Sequence, residues 1–414
     1  MSDSYAAQNG IILMPKRLVL LDWSLRDRVG HAYEYDKNIV SAFKNASWQV
    51  SVYTHRDFDE EEIAGHTAFR KFSYSPTDPL ISWRWLRPIV KILVHWWKGG
   101  RELLECLDPN QDTLYFIQHV EPYQLAGVCR AFRHSQGQLL LMLRATSMTY
   151  SGARARKTIR TFIYSIFLRR LISILGSRLI LICDSYSLKE EFERIAAVPI
   201  TVVPLPNPPN CRLAMQDGTR LDKVVLFAGR LSKEKGVHFV PSIIRATRAR
   251  GMIVQYCVHA YCHQDDGHLY ANLISELRAL AGDDVKLIEA PVPTSRYWCH
   301  LREASVGMLL YDPQRYRNQT SNLLLDFLSS GLVPIVLSDT WLAEVVTKTS
   351  FGAVINSNLD PSGIVQRVVD ILARPMPTSI PPSVKIYCAQ HTADNFVRVV
   401  TSRIVNGVDE EDHL

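Results

Sequence analysis

Residues 202–210 read VVPLPNPPN, four prolines and two asparagines in nine positions. Proline fixes φ and has no N–H to donate, so this run fits neither a helix interior nor a central strand. The chain on either side of it is alike. Short apolar runs alternate with helix-length stretches, first from residue 17 to 205 and again from 224 to 337. Strands alternating with helices imply parallel sheets wrapped by helices. A proline-rich break between two such series therefore makes it a hinge between two α/β domains. With 414 residues and 47% hydrophobic side chains, there is material for two cores.

In the first series the expected strands are 17–21 (RLVLL), 49–53, 113–117, 139–143 and 179–183, with a helix over 32–45. In the second they are 224–228, 252–258, 285–288, 306–310 and 333–337. Helices are expected at 236–249, 268–280, 295–303 and 321–330. The boundaries read as 1–205 for the first domain and 206–375 for the second. Residues 376–414 form a helical tail that packs back on the first domain. Two open sheets joined by a hinge place their strand C-termini around one cleft, where ligands of such sheets bind.

The net charge of +6 suits anionic small molecules, a membrane surface or nucleic acid. Eight cysteines without a CxxC pair point to reduced thiols. The polar start MSDSYAAQNG does not read as a secretion signal, and no run of about 18 apolar residues is present. The expectation is a cytoplasmic chain, membrane-peripheral if it meets a membrane.

FAGRLSKEKG (227–236) carries the first chemistry. Arg230 and Lys235 follow a strand end on a loop that opens a helix. Arg offers a planar fork of donors and Lys a point charge, and the glycines let backbone approach closely. A helix N-terminus adds partial positive charge. The set suits a diphosphate, although a solvated loop with ordinary surface charges has the same composition. RNQTSNLLLDFLSSGLVPIVLSD (317–339) carries the second. There Thr320, Ser321 and Asn322 open a helix that is apolar except for Asp326. A buried carboxylate is costly without a partner or ligand.

Together, in this order, the two stretches resemble the retaining glycosyltransferases of family 4, which have the GT-B fold. CDSYSLKEEF before the hinge resembles the end of that family's first domain. The resemblance implies two Rossmann-like domains facing a cleft, 1–205 binding the acceptor and 206–375 the nucleotide sugar, and transfer of a hexose from a nucleotide diphosphate sugar to an acceptor hydroxyl with retention. It implies that Arg230 and Lys235 hold the diphosphate and that the amides of Thr320, Ser321 and Asn322 face phosphate. Asp326 then holds the ribose. Gly30 matches the glycine turn of the first domain, and His119 an active-site histidine. Fixed cations stabilise the leaving group, so no metal or other cofactor is implied. Glycan or lipid-linked acceptors are the implied partners.

The chain departs from the family at Asn318, where relatives often have a glutamate near the transferred sugar. Asn hydrogen-bonds a hydroxyl but supplies no charge. A catalytically inactive nucleotide-sugar binding or scaffold protein therefore remains the alternative, and Glu344 lines either a cleft or a solvated helix face. Two basic, aromatic stretches, 83–100 and 151–178, suit an anionic membrane surface, or ordinary helices packed on the sheet. They also suit nucleic acid, which would show as steep salt dependence; the expectation is no nucleic-acid partner. In CVHAYCHQDDGH (257–268), Cys257, His259, Cys262 and His263 lack zinc-site spacing, and no metal site is expected.

Overall fold

The computed structural model describes residues 17–28, 31–73, 87–108, 112–144, 154–207, 223–262, 267–377 and 379–406. Side chains of residues 31, 87–88, 154–158 and 406 are not described. Gly30, residues 208–210 of the hinge and His263 lie outside this set.

The first sheet contains β1 (Arg17–Leu21), β2 (Gln49–His55), β3 (Glu62–Ile63), β4 (His66–Phe72), β5 (Thr113–Ile117), β6 (Gln138–Leu143), β7 (Leu179–Cys183) and β8 (Thr201–Val202). Its order is β3-β4-β2-β1-β5-β6-β7-β8. Every pairing is parallel except β3 with β4. The second sheet contains β9 (Val224–Phe227), β10 (Gln255–His259), β11 (Val285–Ile288), β12 (Val306–Leu309), β13 (Val333–Leu337) and β14 (Ala353–Ile355). Its order is β11-β10-β9-β12-β13-β14, all parallel.

Alternation along each strand splits the apolar residues between two faces. In β1, Val19 and Leu21 join one core while Leu18 and Leu20 join the other. In β9, Leu226 faces one layer and Val225 and Phe227 the other. The helices of each series cover both faces, so the strands are nearly continuous apolar runs.

The chain crosses between the domains twice. After β8, Leu205 N–H donates to His391 Nδ1, and Asn207 bridges to Thr392. Helix Pro382–Gln390 packs in the second domain, with Val384 and Tyr387 in its core. Helix Ala393–Asn406 packs in the first, where Phe396, Val397 and Val400 lie against Leu18, Val40 and Phe116.

Some elements differ from expectation. The helix expected to begin at 236 begins at Val240, preceded by the 3-10 turns Lys233–Lys235 and Val237–Phe239. Gly236 between them has φ +75°, which an α-helix does not accept. The strand expected over 252–258 is Gln255–His259, since residues 252–254 extend toward it outside the ladder.

Candidate active site

Each sheet has one place where the strand order reverses, between β1 and β5 in the first and between β9 and β12 in the second. Loops leaving the two central strands diverge there and open a crevice.

In the second sheet the loop after β9 is tied on both sides. Leu231 N–H donates to the Tyr261 carbonyl, and Asp312 N–H to the Glu234 carbonyl. Two glycines make this path possible. Gly229 has φ +94°, and a Cβ there would lie 3.2 Å from Lys235 Nζ. At Gly236 a Cβ would lie 2.1 Å from the Leu310 carbonyl oxygen at the end of β12. The loop therefore presses onto β12, and Lys235 is carried back over the mouth, 6.0 Å above the Tyr311 ring. Burial first, then the charges of Arg230 and Arg315, lower the Lys235 pKa to about 8. Among the described residues no carboxylate is paired with Lys235, and Glu234 is the weaker opposing influence. Arg230, Lys235 and Arg315 thus converge beside Glu234.

Beside them begins helix Asn322–Ser329. Its N-cap, Ser321, gives no side-chain cap. The free first-turn amides are the donors a helix start offers to an anion. Thr320 instead reaches the first domain, its hydroxyl donating to Asp184 at 2.8 Å. Asp326 is buried and accepts from the Tyr297 hydroxyl at 2.6 Å. Burial raises its pKa to about 7, Tyr297 opposes this, and Glu34 across the crevice adds to it. Glu34 belongs to helix His31–Asn45, so the charge of that helix start acts on Asp326, while Gly30 itself lies outside the described residues.

The mouth of the first sheet holds residues that sequence reasoning missed. Asp22, just past β1, accepts from Ser24 N–H at 2.8 Å, Ser24 Oγ at 2.6 Å and Gln118 Nε2 at 2.5 Å. Asp36 is fully buried, and burial followed by Asp22 raises its pKa well above the usual range. Asp184, past β7, accepts from Arg144 Nε at 3.2 Å, and burial raises its pKa against the pull of Arg144 and Thr320. Arg144 also stacks on Tyr35, 4.5 Å from the ring centroid. These residues come from five separate stretches with no shared spacing. The available signal was position alone: Asp22, Gln118, Arg144 and Asp184 each follow a strand end.

Asn318 lies between the domains. Its Nδ2 donates to Glu191 at 3.1 Å, and its carbonyl accepts from Ser185 Oγ at 2.9 Å. His119 lies after β5, 3.8 Å from Glu121. Burial opposes ionisation of Glu121, but His119 and Arg160 outweigh it and lower its pKa to about 2. Among the described residues no hydrogen bond or ion pair joins His119 to Asn318 or to the cations of the second sheet. Glu344 is exposed on helix Trp341–Thr349. Cys262 packs on the opposite face of the second sheet from Cys257.

The two facing parallel-sheet domains make this the GT-B fold. No protein-family model matches the chain, and no curated protein sequence does. Solved structures do. An α,α-trehalose-phosphate synthase (UDP-forming) from Burkholderia xenovorans, in complex with glucose-6-phosphate, is 13% identical with a TM-score of 0.66. The match covers 94% of this chain and 99% of that one. An Escherichia coli structure bound with UDP-2-fluoro glucose gives 0.65 at 11% identity, over 95% and 99%. The N-terminal domain of a Candida albicans trehalose-6-phosphate phosphatase gives 0.67 at 11%, over 95% and 97%. These likenesses establish the fold and do not single out family 4.

Proposed function

We propose that the protein is a retaining glycosyltransferase that moves a hexose from a nucleotide diphosphate sugar to an acceptor hydroxyl. One observation carries this reading: Arg230, Lys235 and Arg315 converge at the reversal point of the second sheet, and Lys235 lacks a carboxylate partner among the described residues. A diphosphate is the group that such a cluster, flanked by an uncapped helix start, accommodates. Two of these neighbours were solved with UDP-2-fluoro glucose and with glucose-6-phosphate bound, which makes UDP-glucose the first donor to try. Arg230 and Lys235 stabilise the departing diphosphate as its charge grows. The amides of Ser321 and Asn322 add donors, and Asp326, oriented by Tyr297, takes the ribose. No residue is assigned as nucleophile, and the acceptor proton goes to the leaving phosphate on the same face. These groups alone provide the charge stabilisation, and the reading includes no resident cofactor.

Asn318 favours a second reading. Its side chain is engaged with Glu191 and gives the sugar site no charge. A protein that only binds the nucleotide sugar fits that arrangement. The test is a thermal-shift screen of nucleoside diphosphates and nucleotide sugars on wild type and on Arg230→Ala/Lys235→Ala. A bound donor raises the melting temperature by mass action. Stabilisation by one nucleotide, lost in the double variant, supports the site. Donor hydrolysis or transfer then separates enzyme from binder, and no stabilisation of a folded wild type sinks both.

The surface supports a membrane-facing acceptor. Ile89, Leu93 and Trp97 are exposed on one segment, and Ile159, Phe162 and Ile166 on helix Arg154–Leu175. The inner residues Ile163, Tyr164 and Leu168 are buried, so this helix is apolar on both sides. Both segments pack against helix Leu125–Phe132. Lys98, Arg101, Arg169 and Arg170 accompany the apolar residues, an arrangement suited to anionic lipid. No helix among the described residues is long and apolar enough to cross a membrane. Flotation with anionic but not zwitterionic vesicles, weakened by Trp97→Ala/Phe162→Ala, is the expected outcome.

A further inference from the structure

Away from the nucleotide mouth, β10 carries Cys257 and His259 two residues apart, so both side chains point to one face. The helix covering that face, Thr294–Glu303, brings His300 against them. All three are buried, and each offers one ligand atom within 4.8 Å of the others. His259 Nε2 and His300 Nδ1 lie 3.0 Å apart. His300 Nε2 is buried and has no hydrogen-bond partner among the described residues. Whichever ring donates in the pair, that nitrogen is left unmet, as a bare N–H or a bare lone pair. An unmet buried polar atom is a cost that a fold rarely keeps without a ligand.

We propose that Cys257, His259 and His300 form a transition-metal site of the zinc class. The donor set is one sulfur and two imidazoles with no oxygen, which selects zinc or a softer ion over magnesium or calcium. The ligand edges of a tetrahedral zinc site are about 3.3–3.6 Å, given bonds of about 2.0–2.3 Å. To reach that, the 3.0 Å ring pair must open slightly and the wider spacings, up to 4.8 Å, must close by side-chain rotation. Burial, then His300, lowers the His259 pKa to about 4, and burial lowers that of His300. Both rings are therefore neutral, the form that ligates. The thiol is raised to about 11 by burial, so on binding its proton is displaced to solvent and the sulfur bonds the metal as thiolate. Lys286 opposes the added charge, Arg296 does so toward His300, and Glu303 favours it.

The site would fasten the Thr294–Glu303 helix to β10. Tyr297, one turn before His300, is the donor to Asp326. In that respect the inference deepens the donor-site reading, but metal binding itself does not depend on it. The test uses the whole chain, grown with zinc, desalted, and assayed for metal by mass spectrometry. Cobalt(II) is then titrated into the metal-stripped protein. The expected results are about one ion per chain, a thiolate-to-cobalt charge-transfer band, and a higher melting temperature with metal. Cys257→Ala removes the band, and His300→Gln weakens binding at least tenfold while circular dichroism shows both variants folded. Absence of retained metal, with a cobalt spectrum equal to that of Cys257→Ala, overturns the site. So does binding that survives both substitutions together. Neither readout uses donor or turnover, so failure here leaves the glycosyltransferase test standing, and the reverse.

Discussion

The two strand mouths face one crevice and treat charge in opposite ways. At the first, Asp22 and Asp184 are buried with Gln118, Ser24, Arg144 and Thr320 to meet them, while Asp36, whose oxygens have no hydrogen-bond partner among the described residues, is pushed toward its neutral form by burial. At the second, Arg230, Lys235 and Arg315 gather beside Glu234, and Lys235 has no carboxylate paired with it among the described residues. Both are costly to build, because charge is desolvated in each. The first returns that cost within the fold. The second returns it only when an anion arrives. In the function proposed above, the first cluster is accordingly structural and the second is the binding site.

That contrast breaks most visibly at Lys235. Replacing it with Ala is expected to lower transfer by about 10²–10³-fold, the scale of losing one fixed donor to developing charge. The unliganded protein should melt no lower than wild type, since a desolvated cation has been removed. Rates within a few-fold of wild type would remove Lys235 from the donor site. At the first mouth the sign reverses. Arg144→Ala leaves Asp184 buried without its cation, and denaturant unfolding should show a loss of about 3–5 kcal/mol. Unchanged stability would mean that the Thr320 hydroxyl suffices for Asp184 without the cation.

Two pH profiles sharpen the same comparison. Lys235 titrates near 8 when free, and a bound diphosphate favours its charged form. Below pH 8 the charge is already present. Above it, binding must take up a proton, so nucleotide affinity should fall by up to about tenfold per pH unit. Lys235→Arg should flatten that fall, as measured by calorimetry; an equal slope in both proteins points to another group. Asp326 gives a smaller effect on stability. Its pKa is about 7 folded against 3.8 ordinarily, so the native state holds a proton that the unfolded chain releases. The resulting stability is complete below about pH 4 and is lost as pH rises through 7. Asp326→Asn should reduce the fall in melting temperature over that range, and an unchanged pH profile would place the carboxyl in contact with water.

The second mouth was far more legible than the first, for a physical reason. A loop pressed onto a neighbouring strand needs Gly229 and Gly236 close to the cations it positions, so FAGRLSKEKG holds both glycines and two of the three cations in ten consecutive residues, while Arg315 joins them only through folding. Central strands such as Arg17–Leu21 and Thr113–Ile117 were equally plain, because burial on both faces demands unbroken apolar runs. The edge strands β3, β8 and β14 are two or three residues long, too short for a period to register. Asp22, Arg144 and Asp184 meet only through folding, as does His300 with Cys257. Asn318 was visible as a missing charge, but its tie to Glu191 spans 127 residues and two domains.

The returning helix Ala393–Asn406 sets an order of events during synthesis. Phe396 is fully buried in the first domain, 5.8 Å from the Phe116 ring. A ribosome releases the first domain's strands long before that side chain exists. The half made first is thus completed last, with an apolar seam beside helix His31–Asn45 open throughout translation of the second half. A premature stop that spares every residue of the nucleotide mouth would still leave that seam bare, and the nascent protein exposed to chaperones and proteases.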